Sequence, residues 1–160
     1  MIKHFIQEYE LYKKLGQKAM DQLSEEEMNV VTGSENNSVA MIVRHISGNL
    51  VSRFTDFLTT DGEKSWRNRD EEFNERTYTR NEIHEMWEKG WSVVLNQMNS
   101  LEESDLQKTV LIRNEPWNVH AALCRSVAHT SFHIGQIILI ARMFRQQTWN
   151  WLTIPKKKTS

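Results

Sequence analysis

One cysteine in 160 residues leaves no internal disulfide to form, so stability must come from packing rather than from covalent staples. That residue, Cys124, reads either as a small buried hydrophobe or as a reactive thiol, and its solitude suits a reducing cytoplasm. Prolines number two, at 116 and 155, which leaves long stretches free of helix breakers. No apolar run approaches the roughly 20 residues of a membrane span. The opening Met1-Ile-Lys-His-Phe-Ile-Gln-Glu8 also lacks the apolar centre of a secretion signal. Charge of one sign is missing too: the formal net charge is −1 and the basic residues are scattered, which argues against the electrostatic footprint of a nucleic-acid binder. Lys156-Lys157-Lys158 reads as a solvated tail. The expectation is a soluble cytoplasmic protein that takes a small-molecule substrate, with no nucleic acid and no membrane as partner.

With 39% hydrophobic and 26% charged residues, a chain of this length can build one domain, residues 1–160, around a real core. Periodicity near 3.6 predicts four helices. The first, over about residues 2–23, carries Phe5, Tyr9, Tyr12, Gly16, Ala19 and Leu23 on one stripe. Turn formers at 32–37 precede a second helix over about 38–58, capped by Ser38 or Asn37. A long polar loop follows from Thr60 to Phe73, of the length that often serves function. The third helix starts at Thr79, where Thr79-Arg-Asn-Glu82 has the capping-box spacing, and buries Ile83, Trp87, Gly90, Val94, Met98 and Leu101. Thr109–Arg113 is β-prone and Asn114-Glu-Pro-Trp-Asn118 interrupts it, so a short extended segment or hairpin fits before the fourth helix, about 119–145. The tail 149–155 is expected to fold its aromatics back onto the helices. Four amphipathic helices in one domain imply an all-α four-helix bundle.

His129 and His133 stand four apart on the fourth helix, on one face and one turn from each other. That spacing lets two imidazoles grip one cation, and it equally suits two ordinary helix histidines satisfied by carbonyls or water. His45, midway along the second helix beside Ser47 and Gly48, is the candidate third ligand, or else a buried hydrogen-bonding residue between helices. Ser47 and Gly48 would permit close helix approach. Three neutral imidazoles leave a divalent cation with an open coordination position, the catalytic rather than the structural arrangement. His4 and His84 read as surface residues. His120 and Cys124 fall off the His129 face by about 180° and 140°, and are not assigned to the site.

His45 together with His129-Thr-Ser-Phe-His133-Ile-Gly-Gln136 resembles the three-histidine pattern of the DinB-like superfamily. The loop from Leu58 to Asp70 resembles that of a bacterial subgroup within it. The resemblance implies an up-down-down-up four-helix bundle, a zinc or nickel ion on His45, His129 and His133, and a homodimer. It also implies a transferase or isomerase working with a low-molecular-weight thiol such as bacillithiol or mycothiol. In that chemistry the cation would hold the thiol as thiolate and aim it at an electrophile. Asn49, four beyond His45, and Gln136, three beyond His133, can face the site behind the ligands, or form an ordinary polar pair between helices. Arg67 and Arg69 could clamp carboxylates of a thiol or substrate, or stand as solvated surface arginines. A hydrolase is a variant of this reading. The alternative from another class is a non-catalytic metal-binding or stress-associated bundle acting as a homodimer.

Overall fold

Helix forms where apolar residues recur at three and four and where a side chain can close the first turn. The computed structural model describes residues 1–33 and 35–155, so Lys156-Lys157-Lys158 lies outside the described residues. Among them are five α-helices: α1 Ile2–Met20, α2 Glu25–Asn29, α3 Val39–Phe54, α4 Arg80–Ser100 and α5 Val119–Arg145. Strands β1 (Thr109–Ile112) and β2 (Glu115–Asn118) pair antiparallel, with Val110 opposite Trp117.

The predicted caps form. Ser38 Oγ accepts from Met41 N at 3.2 Å, and the Thr79–Glu82 box closes in both directions, at 3.2 and 2.8 Å. A second box, Ser24-Glu-Glu-Glu27, starts the five-residue α2, which periodicity could not register over so short a stretch. It also shortens the first helix, which ends at Met20 rather than Leu23. The second predicted helix stops at Phe54 instead of Leu58. There Asp56 takes a positive φ of 49°, and its carbonyl accepts from the amides of Thr59 and Thr60, which turns the chain and brings Phe57 against Phe54. The extended segment is a hairpin with positive φ at both central residues, Arg113 and Asn114, the twist that two-residue hairpin turns require.

α3 packs along α4 and α1 along α5, while α1 also meets α4 and α3 meets α5. Tyr9, Leu50, Phe54, Trp87, Trp91, Leu123 and Ile137 fill the space between them. The predicted stripes of the first and third helices are thus core-facing. In the tail, Asn150 exchanges hydrogen bonds with Gln22 and Trp149 packs on the core; Trp151 instead lies under Arg142, 46% exposed.

The polar loop is strung between α3 and the hairpin. Asp61 accepts from the amides of Arg113 (2.9 Å) and Asn114 (2.6 Å), and Gly62 N donates to Leu111 O at 2.8 Å. Ser52 on α3 donates to Gly62 O and accepts from Lys64 N. These contacts hold the loop over the face of α3 that carries His45.

α3 and α4 approach closely at Gly90. A Cβ there would sit 2.8 Å from Ser47 Cα, a backbone atom that cannot step aside. Gly135, on the exposed side of α5, faces open space. Replacing either by Ala gains about 1 kcal/mol of helix propensity. Gly90→Ala should nonetheless lower stability by about 1–3 kcal/mol through overpacking, whereas Gly135→Ala should raise it by up to about 1 kcal/mol. Urea denaturation of the two variants beside the parent measures both signs.

Candidate metal centre

α3 and α5 bring their histidines to one point. His45 Nε2 lies 3.3 Å from His129 Nε2, which lies 3.2 Å from His133 Nε2, and the three ligand atoms fall within 4.8 Å of one another. His45 is 3% exposed; the other two are partly buried. The cluster could hold a metal ion.

The opposite ring nitrogens fix where the protons are. His45 Nδ1 is 2.8 Å from Glu72 Oε2, and a carboxylate can only accept, so Nδ1 donates and Nε2 keeps a lone pair. His133 Nδ1 likewise donates to Gln136 Oε1 at 2.8 Å, leaving its Nε2 free. Two bare lone pairs therefore point at His129 Nε2, which owns at most one proton to offer them both. A cation resolves that frustration. Four-coordinate zinc at about 2.0–2.1 Å from each nitrogen implies nitrogen–nitrogen separations of about 3.3 Å, close to both short distances here.

Glu72 comes from a short 3-10 turn in the loop, Asp70–Phe73. Arg67 clamps its carboxylate from behind, Nε to Oε1 and Nη2 to Oε2, each at 2.8 Å. The carboxylate reaches α3 across Gly48, where a Cβ would lie 3.0 Å from Glu72 Cδ and collide with Oε1. Gly48 thus makes room for Glu72; close approach of the helices belongs to Gly90. Burial pushes the Glu72 pKa up, but hydrogen bonds from His45 and Arg67 and the guanidinium charge hold it below the usual carboxylate range. Burial drives His129 down to about 4, helped by His133, His45, Arg67 and Arg53. His133 is also lowered, by burial first, with Gln136 partly opposing. Phe73 covers the His45 ring at 4.8 Å and Phe132 meets His133 edge-on at 5.2 Å.

A cavity of about 370 Å³ opens onto His45 and His129. Asn49 and both loop arginines, Arg67 and Arg69, line it. Arg67 does so with a side chain only 4% exposed that is already committed to Glu72, while Arg69 stacks over Phe73 at 5.2 Å. Gln136 stands behind His133 rather than in the cavity wall. Glu72, Arg53, Arg113 and Arg125 also belong to this site, although no spacing in the sequence points to them. His4 and His84 are exposed, as expected. Cys124 is exposed as well, contrary to the buried alternative, because its face of α5 looks onto a shallow recess beside Phe5 and Val127.

A family model described as "Protein of unknown function (DUF1572)" matches residues 1–158. The chain belongs to that family. No curated protein and no solved structure matches it. In this DUF1572 chain the match takes in all three histidines, the Glu72 loop and the cavity walls together.

Two measurements test the centre. Glu72→Gln keeps the shape but removes the charge that orients and enriches His45, so affinity for zinc, read by competition with a chromophoric chelator, should fall about 10–100-fold. Unfolded imidazoles bind protons near the ordinary histidine value of about 6.5, whereas folded His129 resists until about 4. The metal-free protein should therefore keep its full stability above about pH 6.5 and lose it as pH falls toward about 4, with His133 adding to the loss. Denaturation midpoints in chelator across that window should drop steadily; a flat profile counts against buried neutral imidazoles.

Proposed function

We propose that this protein is a metal-dependent enzyme of the DinB-like superfamily that transfers a low-molecular-weight thiol, of the bacillithiol type, to an electrophilic small molecule. In this reading α1, α3, α4 and α5 form an up-down-down-up four-helix bundle, and His45, His129 and His133 hold zinc or nickel. The observation that carries the enzyme reading is the cavity of about 370 Å³ beside the converging Nε2 atoms. A structural site closes all four positions with protein ligands, whereas this one has three ligands and space beside them.

A divalent cation bound there keeps its full charge, since imidazoles bring none, and lowers the pKa of a thiol or a water into the neutral range. The chain supplies the rest. Glu72 and Gln136 hold the proton of His45 and His133 on Nδ1, so both present Nε2 without rearrangement. Arg67 keeps Glu72 ionised and in place. Asn49, in the cavity wall, offers an amide to a bound substrate. Transfer forms a carbon–sulfur bond as the leaving group departs with its electron pair. Exposed Phe132, Leu139 and Met143, at i, i+7 and i+11 of α5, support a homodimer. Among the described residues no helix is long and apolar enough to cross a membrane.

Elemental analysis of the purified protein should find about one zinc or nickel per chain, and His129→Ala should lose it while remaining folded. With bacillithiol and a chlorinated dinitroarene, the loaded protein should give thiol conjugation that His129→Ala and chelator abolish. Metal binding with no conjugation above background would favour the non-catalytic bundle instead, and no stoichiometric metal after loading would overturn the centre itself.

A further inference from the structure

Five arginines, Arg53, Arg67, Arg69, Arg113 and Arg125, line the cavity beside the histidines, and no carboxylate lines it with them. Behind the wall stand two carboxylates. Glu72 takes Arg67 in a two-pronged pair, and Glu63 is shared between Arg67 at 3.7 Å and Arg113 at 3.2 Å. Arg69 has Asp70 at 3.9 Å on the solvent side. That leaves Arg53 and Arg125 with no carboxylate within ion-pair distance among the described residues. Arg125 instead stacks over Trp117 at 5.3 Å, and Arg53 keeps a buried Nη1 with no hydrogen-bond partner.

Like charges gathered in a partly buried recess repel and are costly to desolvate. Arg53 feels both effects: burial first lowers its pKa, Glu63 opposes that by raising it, and Arg67, Arg113 and Arg125 each lower it further by less. An arrangement that strains the free protein in this way becomes favourable once an oxyanion sits among the guanidiniums, which match carboxylate and phosphate oxygens two at a time.

Helix geometry says how such a ligand would lie. His45, Asn49 and Arg53 follow one another at four-residue steps along one face of α3, and Arg125 precedes His129 by four on α5. Arg53 is therefore about 12 Å along its helix from His45, and Arg125 about 6 Å from His129. Both steps run along the same cavity, with the Arg113 hairpin turn closing its wall.

We propose that this cavity is a receptor for a small molecule bearing a carboxylate or phosphate group, held by Arg53, Arg113 and Arg125 while its other end reaches His45 and His129. This rests on the reading of the site as an enzyme centre, and it names the class of its substrate or thiol: an anion whose charged head lies one to two helical turns from the reacting atoms. Arg67 is excluded from that grip because Glu72 occupies it.

The test is titration calorimetry of the full-length protein at low salt with inorganic phosphate and with succinate, for wild type, Arg125→Ala, Arg53→Gln and His129→Ala. At least one anion should bind saturably to wild type; which one binds more tightly tells phosphate heads from carboxylate heads. Arg125 is exposed, so its loss should leave the fold intact and weaken binding at least tenfold. Arg53→Gln should do the same, and with chelator present, so that neither protein holds a cation, His129→Ala should bind the anion as wild type does. Arginine-dependent binding in a protein that takes no metal would uphold the receptor and sink the metal reading. No saturable binding of either anion by a folded protein, or equal binding by wild type and both arginine variants, would overturn the receptor and leave the metal reading standing.

Discussion

A carboxylate taken out of water must be hydrogen-bonded on both oxygens, and Glu72 is the residue around which that demand organises this site. Its side chain is 6% exposed and receives three hydrogen bonds, two from Arg67 and one from His45. Each partner is thereby fixed. Arg67 cannot swing out to solvent, His45 cannot adopt the other tautomer, and the loop cannot leave α3 without exposing an unpaired buried charge. Gly48 is part of the same constraint, since any side chain there would occupy the space the carboxylate needs. The long polar loop is thus a wall of the three-histidine cluster. Buried ion pairs add little net stability relative to apolar packing. What this one contributes is a single orientation of the imidazole.

The hairpin answers to the same need from the other side. Asp61 holds both amides of its turn, and the Gly62 carbonyl and Lys64 amide are tied to Ser52 on α3. Loop and hairpin therefore behave as one unit clamped to α3, and the cavity is the gap they leave against α5. With Arg53, Arg67, Arg69 and Arg113 distributed over that unit and α3, the positive lining comes from the way loop and hairpin dock and not from any basic run in the chain.

That explains what could and could not be read from the amino acids alone. His129 and His133 were legible because a helix fixes the relation of i to i+4, and the apolar period around them left no doubt that a helix was there. His45 was legible as a candidate because it interrupts an apolar helix with a ring that needs partners. Glu72 was not, because Asp70, Glu71 and Glu72 are consecutive acids in a loop without period, and only tertiary contact decides which one turns inward. Arg53, Arg113 and Arg125 lie 12 to 72 residues apart on three different elements, so no spacing rule links them. α2 and the early stop at Phe54 escaped for a related reason: a five-residue helix has too few turns to show a period, and the break at Asp56 depends on a left-handed residue that other residue types also adopt.

The arginines and the histidines are not independent neighbours. Arg67 and Arg53 are among the charges that keep His129 unprotonated, so the same positive field that favours an anion in the cavity opposes a second proton and also opposes a cation among the imidazoles. Glu72 offsets part of that field at the back of His45, but nothing in the cavity wall offsets it at the front. An anion seated at Arg53 and Arg125 supplies the missing negative charge. It would make the cation easier to hold, and by thermodynamic reciprocity the held cation would make the anion bind more tightly by the same factor. The cavity and the three-histidine cluster would then be two halves of one electrostatic balance: each strained alone, and each relieved by the ligand of the other.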